Sequence, residues 1–244
     1  MTMRTMAVAA LAGAACTSAA NATLVAHWNF NDSTANSTST QVGVLNSTGP
    51  NSGTGAMTIG GGSPVITYNT ISAGTANGCV GTFGGTTTNA VGADPSGGAL
   101  AITASVGANS NNPVTANGCF VTFQISMTNF IDLNVSFATR GTGTGFRSAQ
   151  LAYSTDNSSF TDFGSPWDGG SSGTFFVISR DLSAVNSLDN AANVYIRLTF
   201  NGATGGGGNN RVDNVQFNAT LIPAPGALAL LGLGGLVSAR RRRA

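Results

Sequence analysis

The sequence predicts an all-β fold: a two-sheet antiparallel β-sandwich, jelly-roll-like, followed by a C-terminal apolar helix. Three observations carry that expectation. Runs rich in Val, Ile, Phe, Tyr and Thr recur between clusters of Gly, Asn and Ser, the composition of strands separated by turns. Several runs alternate, with Val121, Phe123 and Ile125 on one side and then Leu133, Val135 and Phe137, the period of a strand with one buried face. Helix formers are few: Lys and Glu are absent, while Gly numbers 34.

Such a glycine-rich chain suggests disorder until its apolar content is weighed, because 41% hydrophobic residues and 13 Phe suffice for a packed core. One domain is expected. All ten basic residues are Arg and all nine acids Asp. Arg4 and Arg240 to Arg243 lie in the terminal segments, so the body holds five Arg against nine Asp. A mildly acidic body argues against a nucleic-acid partner, which selects for basic faces.

Taken in order, "MTMRTMAVAALAGAACTSAANA" has one Arg, an apolar centre from Met6 to Ala15 and small residues at Ala20 to Ala22, so residues 1–22 are read as a secretory signal peptide. Cys16 sits in Gly13-Ala14-Ala15-Cys16, a poor lipobox. Residues 23–220 form the sandwich. Its strand-like runs are "TLVAHWNF", "PVITYNTI", "ALAITASV", "CFVTFQIS", "IDLNVSFAT", "SAQLAYST", "TFFVISRD", "NVYIRLTF" and "RVDNVQFNA". Asp156-Asn157 reads as a hairpin turn between the strand at Tyr153 and Phe160. "WDGGSSG" and "NGATGGGGNN" read as loops, the latter a linker or hairpin loop, and residues 182–190 hold one short helical turn.

"TANGCVGTF" and "TANGCFVTF" echo one another with their cysteines 40 residues apart, too few copies for a solenoid. After removal of the leader only Cys79 and Cys119 remain. In an oxidising compartment they can pair; otherwise they are buried thiols.

Catalytic equipment is not visible. His27 is the one histidine, which excludes a multi-histidine metal cluster, and a Ser/His/Asp triad would have to use it as its base. No G-x-S-x-G occurs, and a P-loop needs the Lys this chain lacks. The aspartates sit in or beside turns and strand ends, where Asp is ordinarily structural, so no enzyme is expected. For glycan binding the candidate is Trp167 in the loop-like "FGSPWDGG", with Asp168 or Arg147 to bond hydroxyls.

Residues 221–244 close the chain with Pro223-Ala224-Pro225, an uncharged run of 14 residues from Gly226 to Ala239, and Arg240, Arg241, Arg242 and Arg243. As a helix that run covers roughly 21 Å, a marginal span of a hydrocarbon core roughly 30 Å thick, and the arginines hold their side in the cytoplasm. Pro-x-Pro, apolar span and Arg cluster, on a chain with a leader, resemble the PEP-CTERM sorting signal of bacterial envelope proteins; the family's middle Glu is Ala224 here. The resemblance implies a transit through the inner membrane, removal of the tail by an exosortase-type membrane enzyme, and delivery to the cell surface or extracellular matrix, with exopolysaccharide a prospective partner. The stretch from Asn134 to Asn218 is also similar in pattern to the sandwiches that precede such tails. The expected role is structural or adhesive, with a carbohydrate-binding module as the alternative. Carbohydrate-binding jelly rolls often hold a structural Ca²⁺ between first and last strands, and by that resemblance Asp32 and Asp213 are candidate ligands; alternatively Asp213 bonds turn amides or pairs with Arg211.

Overall fold

The computed structural model describes residues 22–31, 49–61, 66–68, 80–104, 116–170 and 173–223. They form thirteen strands: β1 (Ala22–Trp28), β2 (Ser52–Gly53), β3 (Gly55–Gly61), β4 (Ile66–Tyr68), β5 (Val80–Gly84), β6 (Gly98–Thr103), β7 (Cys119–Ile125), β8 (Phe130–Gly141), β9 (Ser148–Ser154), β10 (Thr161–Trp167), β11 (Phe176–Asp181), β12 (Val194–Asn201) and β13 (Asn209–Leu221). One 3₁₀ turn, Asn186–Leu188, supplies the short helical element expected between residues 182 and 190. The apolar helix expected after Pro225 lies outside the described residues. No helix among the described residues is long and apolar enough to cross a membrane.

Two antiparallel sheets face each other, as the alternation requires. The first runs β11-β8-β13-β1-β2, with β6 taking over beside β13 beyond the end of β1 and β5 pairing β6. The second runs β10-β9-β12-β7-β3-β4. Buried positions alternate along β7 and β12, so Val121, Phe123 and Ile125 meet Leu198, Ile196 and Val194 on the inner face of the second sheet. Opposite them, Leu133, Val135 and Phe137 of β8 and Phe217 of β13 close the core. Its centre is aromatic: Trp28, Phe123 and Phe217 meet with ring centroids 5.0–5.8 Å apart, the edge-on geometry that ring quadrupoles favour.

All nine strand-like runs contain or overlap a strand, and four further strands, β2, β3, β5 and β10, arise where the sequence looked irregular. The clearest is β10. "TDFGSPW" carries Gly164 and Pro166, which read as a loop, yet it forms a strand at the sheet edge, where a missing donor is tolerated. Its register slips between Phe163 and Trp167, and Gly164 takes φ +69° at that slip. The hairpin at Asp156-Asn157 is present between β9 and β10, with Asn157 at φ +59°.

Two other expectations change. The glycine-rich loop 202–208 is neither linker nor hairpin: it carries the chain from β12 in one sheet to β13 in the other, and the Thr204 and Gly205 amides donate to Thr144 O on the way. The two echoed segments place β5 in the first sheet and β7 in the second, so similar words take dissimilar positions.

Candidate functional site

β8 and β13 lie side by side for their whole length, from Leu221 opposite Phe130 to Asn210 opposite Gly141. At the Gly141 end, loops 142–147, 168–170 and 202–208 gather. Arg147 and Asp168 meet there, Nη1 to Oδ1 at 3.4 Å, both well exposed. The Asp168 carboxylate also accepts the Gly170 amide at 2.8 Å, which fixes the loop. Two of the residues chosen for hydroxyl recognition are therefore neighbours.

Trp167 is a correction. It ends β10 instead of riding on a loop, is 7% exposed, and packs at 5.5 Å against Phe137. The guanidinium of Arg180 lies 5.7 Å from its ring centroid. Because the alternation of an edge strand turns the indole inward, no open ring face is left for a sugar. Its role is in the core.

Beneath these loops lies Asn210, which is fully buried. Its Oδ1 accepts the Phe146 amide at 2.9 Å and its Nδ2 donates to Phe146 O at 3.0 Å, so one side chain satisfies both backbone groups of that residue.

Asp213 has a structural setting of a different kind. It sits where β13 exchanges β1 for β6 as its neighbour, and there Asn214 takes φ +48°. Asp213 Oδ2 accepts the Thr86 amide at 2.7 Å and Oδ1 that of Asn214 at 2.8 Å. Asn214 Nδ2 donates to Thr86 O and Thr88 O, and Gln216 Nε2 to Asn89 O. The "DNVQ" run thus pins the segment after β5 through contacts more than 120 residues apart in sequence. Asp213 bonds amides and does not pair with Arg211. Its proposed calcium partner Asp32 lies outside the described residues, and among the described residues no group of three or more His, Cys, Asp or Glu is arranged to hold a metal ion.

Burial pushes the Asp213 carboxyl up to about 8, against the Thr86 and Asn214 amides that hold it down, with the Asp94 charge adding to the rise. The fold therefore binds this proton more tightly than the unfolded chain does, and stability falls as pH rises from about 4 to about 8. His27 acts in the opposite sense below its ordinary value, since burial lowers it despite Asp94 at 3.8 Å. Between pH 6.5 and 8.5 Asp213 dominates. Urea midpoints of the parent should fall across that window, and those of Asp213→Asn should stay flat; an equal slope in both would assign the effect elsewhere.

The remaining titratable groups read as structural. His27 on β1 is buried beside the core, and its Nε2 has no partner among the described residues. Asp156 accepts the Ser158 and Ser159 amides and the Ser154 hydroxyl, which hold it well below the usual carboxylate range. Asp181 is lowered in the same way by the Ser183 amide. Cys119 is fully buried and disulfide-bonded; Cys79 lies outside the described residues. Of the sorting motif, Pro223 is described and exposed, two residues beyond the end of β13. Ala224, Pro225 and Arg240 to Arg243 lie outside the described residues.

Sequence reading missed the arginines. Four of the five in the body lie over aromatic rings. Arg197 on β12 is held between Phe120 and Phe160, its Cζ 3.9 and 3.6 Å from the two centroids, and Nε donates to Thr122 Oγ1 at 3.1 Å. Gly60 makes this stack possible: a Cβ there would stand 2.5 Å from Phe120 Cζ. Arg211 covers Phe83 at 4.8 Å and Arg140 covers Phe175 at 5.7 Å. Strand parity held the signal, because Arg197 alternates with buried Ile196 and Leu198, and Arg211 stands between buried Asn210 and Val212.

No family model matches the chain, and no curated protein does. Among solved structures it is similar to the K1 cleaved adhesin domain of Lys-gingipain from Porphyromonas gingivalis W83, at 10% identity and a TM-score of 0.41, over 78% of this chain and 95% of that one. It is also similar to the xylan-binding module CBM15, at 13% identity and TM-score 0.37, over 61% and 94%. A third is the enzymatically active domain of bacteriophage CBA120 tailspike protein 4, at 11% and 0.38, over 68% of this chain and 19% of that one.

Proposed function

We propose that this chain is an exported, non-catalytic β-sandwich protein of the cell surface or extracellular matrix, delivered by its PEP-CTERM-like tail and structural or adhesive in role. One observation carries the reading: Ala22 at the start of β1 is the register partner of Thr220 near the end of β13. The chain thus enters and leaves the domain at one pole. β13 is thirteen residues long, so the loops around Arg147 and Asp168 stand about 40 Å from that pole. A domain drawn to a membrane by either end presents the same far loops outward.

The intact mass of the protein recovered from surface and membrane fractions tests this. Loss of the segment after Pro225 in surface material is the expected result. A chain ending in Ala244 and confined to the inner membrane would overturn delivery and leave a tail-anchored domain.

A second reading, a carbohydrate-binding module that holds exopolysaccharide, is favoured by the arginine and phenylalanine stacks on the outer faces of both sheets. Flat apolar rings beside fixed donors suit sugar rings and their substituents.

A further inference from the structure

We propose that Arg140 and Arg211 form a carboxylate-binding site for an acidic polysaccharide on the outer face of the first sheet. The inference rests on the polysaccharide-holding reading and names its ligand class. The two arginines are direct register partners on β8 and β13. Like charges opposite one another in a sheet are destabilising, and a chain with five arginines in its body has put two in this arrangement. The row across the sheet reads Gly81, Ala101, Arg211, Arg140, without an acid. Among the described residues the ion pairs are His27 with Asp94 and Arg147 with Asp168, so neither arginine has a carboxylate partner there. Asp213, two residues from Arg211, spends both oxygens on amides.

Arg211 is held from behind. Its Nη1 donates to Gly84 O at 2.9 Å, its Cζ covers Phe83, and its buried Nε has no partner among the described residues. Burial first, and the Arg140 charge second, pull its pKa down to about 10. Guanidinium forks match a carboxylate bidentately. A densely charged polyanion is disfavoured by the nine aspartates of the body, whereas a uronate polymer presents its charges one per sugar.

The test is calorimetric titration of the full chain in mild detergent with polygalacturonate, with neutral dextran and inorganic phosphate as comparison probes. Polygalacturonate should bind, less tightly as salt rises, and Arg140→Gln should lose about tenfold or more in affinity. The free variant should melt no lower than the parent, because a like-charge contact has been removed. Unchanged affinity in Arg140→Gln, or a lowered melting point without an affinity change, would overturn the site and make the pair a structural stack. Equal binding of dextran keeps the polysaccharide reading and rejects this site. Phosphate competing as well as the polymer would make it a simple anion site, and no binding of either polymer would reject both proposals.

Discussion

Trp28→Ala lowers the stability of the domain by about 3–5 kcal/mol, the cost of emptying a large aromatic site in a packed core. Trp28 is 1% exposed and touches rings from both sheets, Phe123 at 5.0 Å and Phe217 at 5.5 Å. Its six-membered ring also lies under Gly55, where a Cβ would come within 2.8 Å of Cη2. Backbone on one side and rings on the others limit how far the site can collapse, so a cavity remains. Thermal melts should show a fall of roughly 10 °C for a domain of this size. Val177→Ala, at a position 47% exposed, should stay within about 0.5 kcal/mol of the parent. A small effect of Trp28→Ala would mean that the two sheets are held together elsewhere.

Asn210→Ala is expected to cost about 2–5 kcal/mol by a different mechanism. The substitution removes little apolar area. It leaves the Phe146 amide and carbonyl buried without partners, at about 1–3 kcal/mol for each. Water cannot readily replace the amide, because Gly141, Gly145 and Gly169 crowd the Asn210 side chain so closely that a Cβ on any of them would come within 3.1 Å of its atoms. Hydrogen exchange should report the loss where Asn210 acts, with protection falling in residues 141–147 and 168–170 before the strands respond. Uniform loss across the sandwich would show that these loops unfold only with the whole.

Much of the fold was legible because it depends on local parity. The alternation in β7 and β8 assigned inward residues correctly, and Asn157 marked its turn through its tolerance of positive φ. What escaped was set by partners distant in the chain. Nothing local to "FGSPW" says that the segment lies at a sheet edge, which is the circumstance that permits Pro166 and buries Trp167. Nothing near Asp213 announces Thr86 or Asn89. The arginine pair is of the same kind: Arg140 and Arg211 become neighbours only through the register of β8 on β13. The expected leader and tail belong to a third category, since they are read from chain composition and are independent of the sandwich.

β13 pairs with β1, β6 and β8. It is the last of the described strands, and until its residues are available β1 and β6 have no bridge to β8 and the first sheet has no spine. Closure of β1 onto β13 joins segments nearly two hundred residues apart, a non-local pairing that makes assembly slow compared with hairpin formation. The first sheet of such a chain closes only when β13 arrives, so the timing of its assembly is written into strand order.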